Sequence, residues 1–307
     1  MTGKFYNNVK TAVLLGALTG LILWVGSFWG SGGVVVALVF AAVTNLVGYF
    51  FSDRIALMAM RAQEVGPESP LYGIVARLAQ RANLPMPRVY VSPQAAPNAF
   101  ATGRNPKHAA VCATRGLLEM LTADEVAGVM AHELAHVKHR DILIQSVAAT
   151  IGGAISSLAY MMFWLGGAFG GGSSDDEDGG GNPLVALLVM ILGPVAAGVI
   201  QAAISRSREF NADAEGAAIA GDPMPLATAL EKIHDAGRRI PLDVNPAFNS
   251  LFIAEPLNRI AGGIAKLFST HPPLEKRLMN LIGRESTGRP YGVSPGRAFG
   301  RGFGHAF

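Results

Sequence analysis

Residues 122–141 read Thr-Ala-Asp-Glu-Val-Ala-Gly-Val-Met-Ala-His-Glu-Leu-Ala-His-Val-Lys-His-Arg-Asp, and they contain the H-E-x-x-H pattern at His132-Glu133-Leu134-Ala135-His136. That pattern carries chemistry only if it lies on a helix. Thr122 followed three residues later by Glu125 is a capping box, which starts a helix about two and a half turns before His132. At about 100° per residue, His132 and His136 fall about 40° apart on one face, while Val126, Met130, Leu134 and Val137 gather on the other. The apolar side is expected to pack and the imidazoles to face a cleft. Two neutral imidazoles one turn apart suit a zinc ion, and Glu133 beside them suits the base that acts on a zinc-bound water. The competing reading is a surface helix that carries His and Glu by chance.

A catalytic zinc site needs a third protein ligand and an open fourth position. His139 lies seven residues from His132, about 10 Å along the helix axis, so one ion cannot bind both. The H-x-x-G-x-x-H continuation of another zinc-protease branch is missing, because Ile142 stands where its last His would be. The remaining candidate is Ser205-Arg206-Ser207-Arg208-Glu209-Phe210-Asn211-Ala212-Asp213. Glu209 and Asp213 are one helical turn apart, so one carboxylate can bind metal while the other accepts a hydrogen bond from a ligating His. Spacing alone does not say which does which, and E-x-x-x-D is usually a solvated helix face.

Composition excludes other chemistries. Half of the 307 residues are apolar and only 15% are charged, against about 25% charged in an ordinary soluble protein. The single cysteine, Cys112, supplies neither an internal disulfide nor a thiolate zinc cluster. A net charge of +3 from scattered basic residues leaves no nucleic-acid footprint.

The apolar excess comes in blocks. From Thr11 to Ser52 no residue is charged, and Gly30-Ser31-Gly32-Gly33 divides the run into two stretches, each about the 20 residues a spanning helix needs. A cleaved signal peptide is the alternative for the first stretch, but no small-x-small site follows it and a second span begins at once. Two more uncharged runs, Ile142 to Ser174 and Gly179 to Ser205, flank the acidic piece Asp175-Asp176-Glu177-Asp178. Four spans are expected. Lys4, Lys10, Arg54, Arg61, Lys138, Arg140, Arg206 and Arg208 then flank one side of all four, which the positive-inside bias makes cytoplasmic. Both termini and the long polar segments share that side.

Between the hairpins, Leu71, Ile74, Val75, Leu78 and Ala79 recur at helical spacing after Ser69 and Pro70, predicting a helix near Pro70 to Ala82. Val89-Tyr90-Val91, Ala99 to Thr102 and Ala109 to Thr114 read as strands, with a turn at Gly103-Arg104-Asn105-Pro106. After the fourth span the chain is helical through Ala220, stops at Gly221-Asp222-Pro223 and resumes in shorter helices. From Arg284 onward Gly, Arg, Pro and Ser dominate, as in a disordered tail.

The chain resembles the HtpX-type membrane zinc peptidases, with the CAAX prenyl proteases as more distant relatives. The resemblance is carried by Asn98-Ala99-Phe100-Ala101, by His132 to Asp141, by Ser205 to Asp213, by Ser269-Thr270-His271-Pro272-Pro273 and by the order of the spans. It implies a gluzincin-like zinc peptidase domain, mainly α with a small β-element, fused to a four-helix transmembrane region. It further implies one catalytic Zn2+ held by His132, His136 and Glu209, which leaves Asp213 to support a ligand, and a site facing the cytoplasm of a cell membrane. The implied substrates are polypeptides, damaged or misfolded membrane proteins above all, and the implied activity is that of a zinc metalloendopeptidase in quality control and stress response. On this reading His271 is a candidate donor to a developing oxyanion, or a capping His before its two prolines. The strand that begins at Asn98 is a candidate for pairing with an extended substrate, or an ordinary sheet strand.

The expected organisation is a first hairpin over 1–52, catalytic segments over 53–141 and 206–284, a second hairpin over 142–205, and a tail over 285–307. A prenyl-protein-processing protease and a non-catalytic scaffold on a zincin fold are the alternatives. A transporter is disfavoured because no charged residue lies within a span. Natural substrates and oligomeric state are not legible in the sequence.

Overall fold

The computed structural model describes residues 30–150, 206–237, 239–240, 253 and 272–283, with scattered positions before residue 30. Most of the expected first span, residues 151–205 with the acidic loop, His271 and the tail from residue 284 lie outside the described residues.

Helix α1, Gly30–Ala59, opens the described chain with 30 residues, about 45 Å of helix. It is long and apolar enough to cross a membrane. Val35, Val36, Val39, Phe40 and Leu46 are all exposed by more than half, which an aqueous surface would penalise at about 25 cal/mol per Å2 of apolar area. The expected span ended at Ser52, yet the helix runs on through Asp53 and Arg54 to Ala59. Its last two turns are held by the sheet below: Asp53 Oδ2 accepts a 2.7 Å hydrogen bond from Arg88 Nη2, and the backbone oxygen of Met60 accepts one of 2.6 Å from Ser92 Oγ. Span and soluble domain are therefore joined without an intervening loop.

The sheet has four strands, β1 (Gln63–Glu64), β2 (Arg88–Ser92), β3 (Ala99–Gly103) and β4 (Ala109–Thr114), in the order β1-β2-β4-β3. The two-residue β1 is not predicted by the sequence, since two exposed polar residues carry no alternation to read. β2 and β4 are parallel, with Val89 opposite Val111. β3 and β4 form an antiparallel hairpin that leaves β3 at the sheet edge. The turn requires Gly103, whose φ of +127° is one L side chains rarely adopt and where a Cβ would meet the His108 carbonyl oxygen. A short 3-10 turn, Pro106–His108, follows.

Alternation along the strands divides the packing between two layers. Val89, Val91, Ala99, Ala101, Val111 and Ala113 face the main core, beside α2 (Pro70–Arg81) and α4 (Ala123–His139). Tyr90, Phe100, Ala110 and Cys112 face a second cluster with Ala56, Leu57 and Met60 of the α1 end and with Ala149. α2 buries Leu71, Ile74, Val75, Leu78 and Ala79, the five residues its spacing selects. Ser69 occupies its N-cap position but makes no side-chain capping bond.

After the sheet come α3 (Arg115–Met120) and α4, then helical residues 142–150. α5 (Arg206–Ala220), α6 (Met224–Gly237) and α7 (Leu274–Ile282) complete the described chain. The α5–α6 break falls at Gly221, whose φ is +90°. The described protein is mostly helical with one small sheet, as the sequence predicts. Of the four expected spans, one stands among the described residues as a complete apolar helix.

Candidate metal centre

Helix α4 begins as its capping box requires: Thr122 Oγ1 accepts from Glu125 N–H at 3.4 Å, and Glu125 Oε2 accepts from Thr122 N–H at 2.9 Å. From Glu125 to Val137 it is buried on nearly every face, and His132, Glu133 and His136 are all within 4% of full burial. The sequence had the imidazoles facing a cleft; among the described residues that face is covered by α5. Gly216 makes the close approach possible, because a Cβ there would lie 2.8 Å from both Cα and N of His132.

The crossing brings the two motifs together. His132 Nε2 and His136 Nε2 are 3.2 Å apart. Glu209 Oε2 lies 3.8 Å from His132 Nε2, and Glu209 Oε1 lies 3.5 Å from His136 Nε2. The donor atoms of His132, His136 and Glu209 all fall within 4.8 Å of one another, and all three residues are buried. Glu133 belongs to the same buried turn. His139, set aside on axial distance, is half-buried one turn further on.

Each imidazole is held from behind. His132 Nδ1 lies 2.9 Å from Asp213 Oδ1, and a carboxylate at that nitrogen favours the tautomer whose Nε2 lone pair is left toward the cluster. Asp213 is in turn gripped by a two-point fork, Arg277 Nε to Oδ2 at 2.9 Å and Arg277 Nη2 to Oδ1 at 2.6 Å. Burial alone would raise the Asp213 pKa, but the charge and hydrogen bonds of Arg277, aided by His132, hold it below the ordinary carboxylate range. The third guanidinium nitrogen of Arg277 donates to the Ile253 carbonyl oxygen at 2.8 Å.

His136 has a separate support, Asp141 Oδ2 at 3.3 Å from its Nδ1, with Arg208 Nη1 3.5 Å from the other Asp141 oxygen. The local turn explains it. Arg140 caps α4 in the left-handed region at φ 61°, and Asp141 N–H then returns to the His136 carbonyl at 3.0 Å. A residue five positions on is thereby folded back beneath the ring. Burial works to lower the His136 pKa, but the Asp141 hydrogen bond and the charges of Glu209, Glu133 and Asp141 outweigh it and raise it to about 9. That value is for the site without an ion.

The sequence reading did not single out Asp141 or Arg277. Asp141 closes the quoted motif, so its signal was the carboxylate directly after the helix end. Arg277 had a weaker one, a cation four residues beyond the Pro272-Pro273 pair. Asn98 is buried with its Oδ1 accepting from Ala99 N–H at 2.8 Å and Ile253 N–H at 3.2 Å. It therefore ties β3 to the backbone that Arg277 also holds. His271 lies outside the described residues.

Two imidazoles and a carboxylate converging in a buried core, with a second carboxylate beside them, are the equipment of a metallopeptidase, and residues 67–285 match Peptidase family M48. "Protease HtpX homolog" of Syntrophotalea carbinolica is 52% identical over 279 residues, covering 90% of this chain and 98% of that protein. The protein of the same description from Burkholderia cenocepacia strain HI2424 is 50% identical over 290 residues, with 92% and 99% covered. The chain belongs to peptidase family M48, to its HtpX type of membrane metalloproteases. Among solved structures, Ste24p of S. mikatae overlaps 92% of this chain and 67% of its own at 18% identity. The TM-score of that overlap is 0.45.

Proposed function

We propose that this chain is a multi-pass membrane zinc endopeptidase with a gluzincin-like site, working on the cytoplasmic face on damaged or misfolded membrane proteins. The observation that carries the reading is the buried convergence of His132, His136 and Glu209 donor atoms within 4.8 Å. Ligand atoms around a tetrahedral zinc stand about 3.3 Å apart, and the donor separations of 3.2, 3.5 and 3.8 Å are of that size. Borderline-soft nitrogen donors with one carboxylate favour zinc over the hard cations magnesium and calcium.

When bound, zinc would lower the pKa of a coordinated water and polarise a substrate carbonyl. The protein's own residues do the rest. Glu133 takes a proton from the water that adds to the carbonyl carbon and returns it to the amine nitrogen as the C–N bond breaks. Asp213 and Asp141 fix the tautomer and aim of His132 and His136; Arg277 holds Asp213 ionised, and Arg208 steadies Asp141 from 3.5 Å. His271, three residues before the start of α7, remains a proposed donor to the oxyanion. β3 is at the sheet edge with all five residues buried, so pairing with an extended substrate, with little sequence preference, would require that edge to be uncovered.

The divisions at residues 52, 141, 205 and 284 remain proposals for domain limits. The packing of α4 on α5 supports reading 53–141 and 206–284 as one catalytic unit. The test is to strip the purified protein with a chelator, reload it with zinc and assay an unfolded membrane protein beside a prenylated peptide. Zinc-dependent cleavage of the first and not the second is expected. Cleavage restricted to the prenylated peptide would favour the prenyl-processing alternative, and activity restored only by another metal would overturn the zinc assignment.

A further inference from the structure

The β3–β4 tip lies beside the membrane helix. Arg104, the residue after Gly103, places its guanidinium 5.7 Å from the centre of the Phe50 ring, and Arg54 sits 5.5 Å over Phe51. Both distances are those of cation–π contacts. Phe50 and Phe51 are themselves 45% and 42% exposed, so neither ring is sealed in the protein core.

Their height along α1 is informative. The run from Gly30 to Phe50 is about 31 Å of helix, and the hydrocarbon core of a bilayer is about 30 Å thick. A helix that crosses it from Gly30 therefore leaves it at Phe50 and Phe51. Aromatic rings with cations above them belong at that boundary, where headgroups begin. Arg104 cannot be elsewhere while it covers Phe50, and Lys107 and His108 are exposed on the same short turn.

Nearby acidic groups are already engaged. Asp53 is paired with Arg88 at 2.7 Å, and Glu64 accepts from the Tyr90 hydroxyl at 2.9 Å. A second tie fixes the same end of the sheet, for Thr102 Oγ1 and Ser146 Oγ are 2.7 Å apart. Ser146 lies in the helical residues 142–150, which open the expected third span.

We propose that the β3–β4 tip, through Arg104 and Lys107, docks on the anionic phospholipid headgroups of the membrane that α1 crosses. It holds the Gly103 end of the edge strand β3 at the lipid surface. All five residues of β3 are buried, so it is the tip that meets the lipid surface, and β3 leads back from it through Asn98 toward the backbone held by Arg277. This inference rests on the membrane reading of α1.

The test uses the full chain in nanodiscs with a fluorophore on one introduced cysteine. Cys112 does not interfere, since it is fully buried and its burial pushes the thiol pKa far up. Probes at His108→Cys, Leu46→Cys and Asp222→Cys are challenged with headgroup-labelled and acyl-chain-labelled quencher lipids. The expected result is strong headgroup quenching at position 108, acyl-chain quenching at 46, and neither at 222, beyond the far end of α5. Quenching at 46 without quenching at 108 overturns the docking alone. Absence of quenching at both overturns the membrane reading with it.

A charge reversal, Arg104→Glu with Lys107→Glu, supplies the functional arm. In nanodiscs containing anionic lipid it should raise KM for a membrane-anchored substrate about fivefold or more, with kcat/KM for a short soluble peptide unchanged. An unchanged KM for the anchored substrate contradicts the proposal, as does an equal loss with both substrates.

Discussion

Helices α1 and α4 bury opposite things. α1 is uncharged from Gly30 to Ser52 and leaves Val36, Val39, Phe40 and Leu46 exposed by 60% or more. α4 carries three histidines and two glutamates and buries all of them except His139 at its end. In water both arrangements would be costly, the first through apolar exposure and the second through desolvated polar groups. The first is resolved by a lipid solvent, and the second by partners: Asp141 from the turn just after the helix, Glu209 and Asp213 from α5, with Arg277 behind Asp213, and Lys232 of α6, 2.7 Å from Glu125. Burial by itself thus says little about a helix until its neighbours are known, and here the neighbours of α4 define the chemistry.

The sharpest break in that comparison is removal of an α4 partner. Glu209→Ala should abolish stoichiometric metal binding, whereas Asp213→Ala should weaken binding or activity by about 10–100-fold while the three ligands survive. Chelator competition on purified variants reads both. Retention of metal by Glu209→Ala with its loss in Glu215→Ala or His234→Ala would move the third ligand elsewhere.

The partner of His136 gives a pH-dependent test on metal-stripped protein. Its pKa is raised from 6.5 to about 9. A raised pKa contributes stability that is fully present below the unfolded value and is lost as pH rises through about 9. Thermal melts should therefore show the stripped protein losing about 3 kcal/mol between pH 6.5 and pH values above 9. Asp141→Asn should flatten much of that loss, and an identical profile in the variant would contradict the assignment.

For α1 the corresponding substitution is Val39→Lys, at a position 60% exposed. Insertion of the α1 segment into a membrane should become less favourable by about 3 kcal/mol, measured as the inserted fraction in a translocation assay. Equal insertion of both sequences would mean that α1 does not cross the bilayer there. The smallest effect is expected at the helix crossing, where Gly216→Ala forces α5 away from His132 and should cost about 1–3 kcal/mol with a measurable fall in metal affinity. An unchanged melting temperature would show that the approach of the two helices is not tight.

Much of this was legible because it is local. The capping box, the five buried residues of α2, the three longer strands and the helix break at Gly221 all follow from spacings within a few residues. The turn from one motif to the other was not, since nothing near His132 announces that Gly216 lets α5 lie against it. Asp141 was hidden by Arg140, whose left-handed backbone a non-glycine residue seldom adopts. Arg277 was hidden by distance in sequence, and the end of α1 by a charged pair, Asp53 and Arg54, that closes the uncharged run while the helix continues to Ala59. The Glu209 assignment came from resemblance before geometry, because E-x-x-x-D spacing leaves the two carboxylates interchangeable.

The central claim is that the buried cluster holds a catalytic metal and that Glu133 moves the proton. Glu133→Gln keeps the shape and all three proposed ligands but removes the base. Proteolysis by the purified, zinc-loaded variant should fall to background while its zinc content stays at one per chain. Near wild-type turnover with zinc in place would contradict the account.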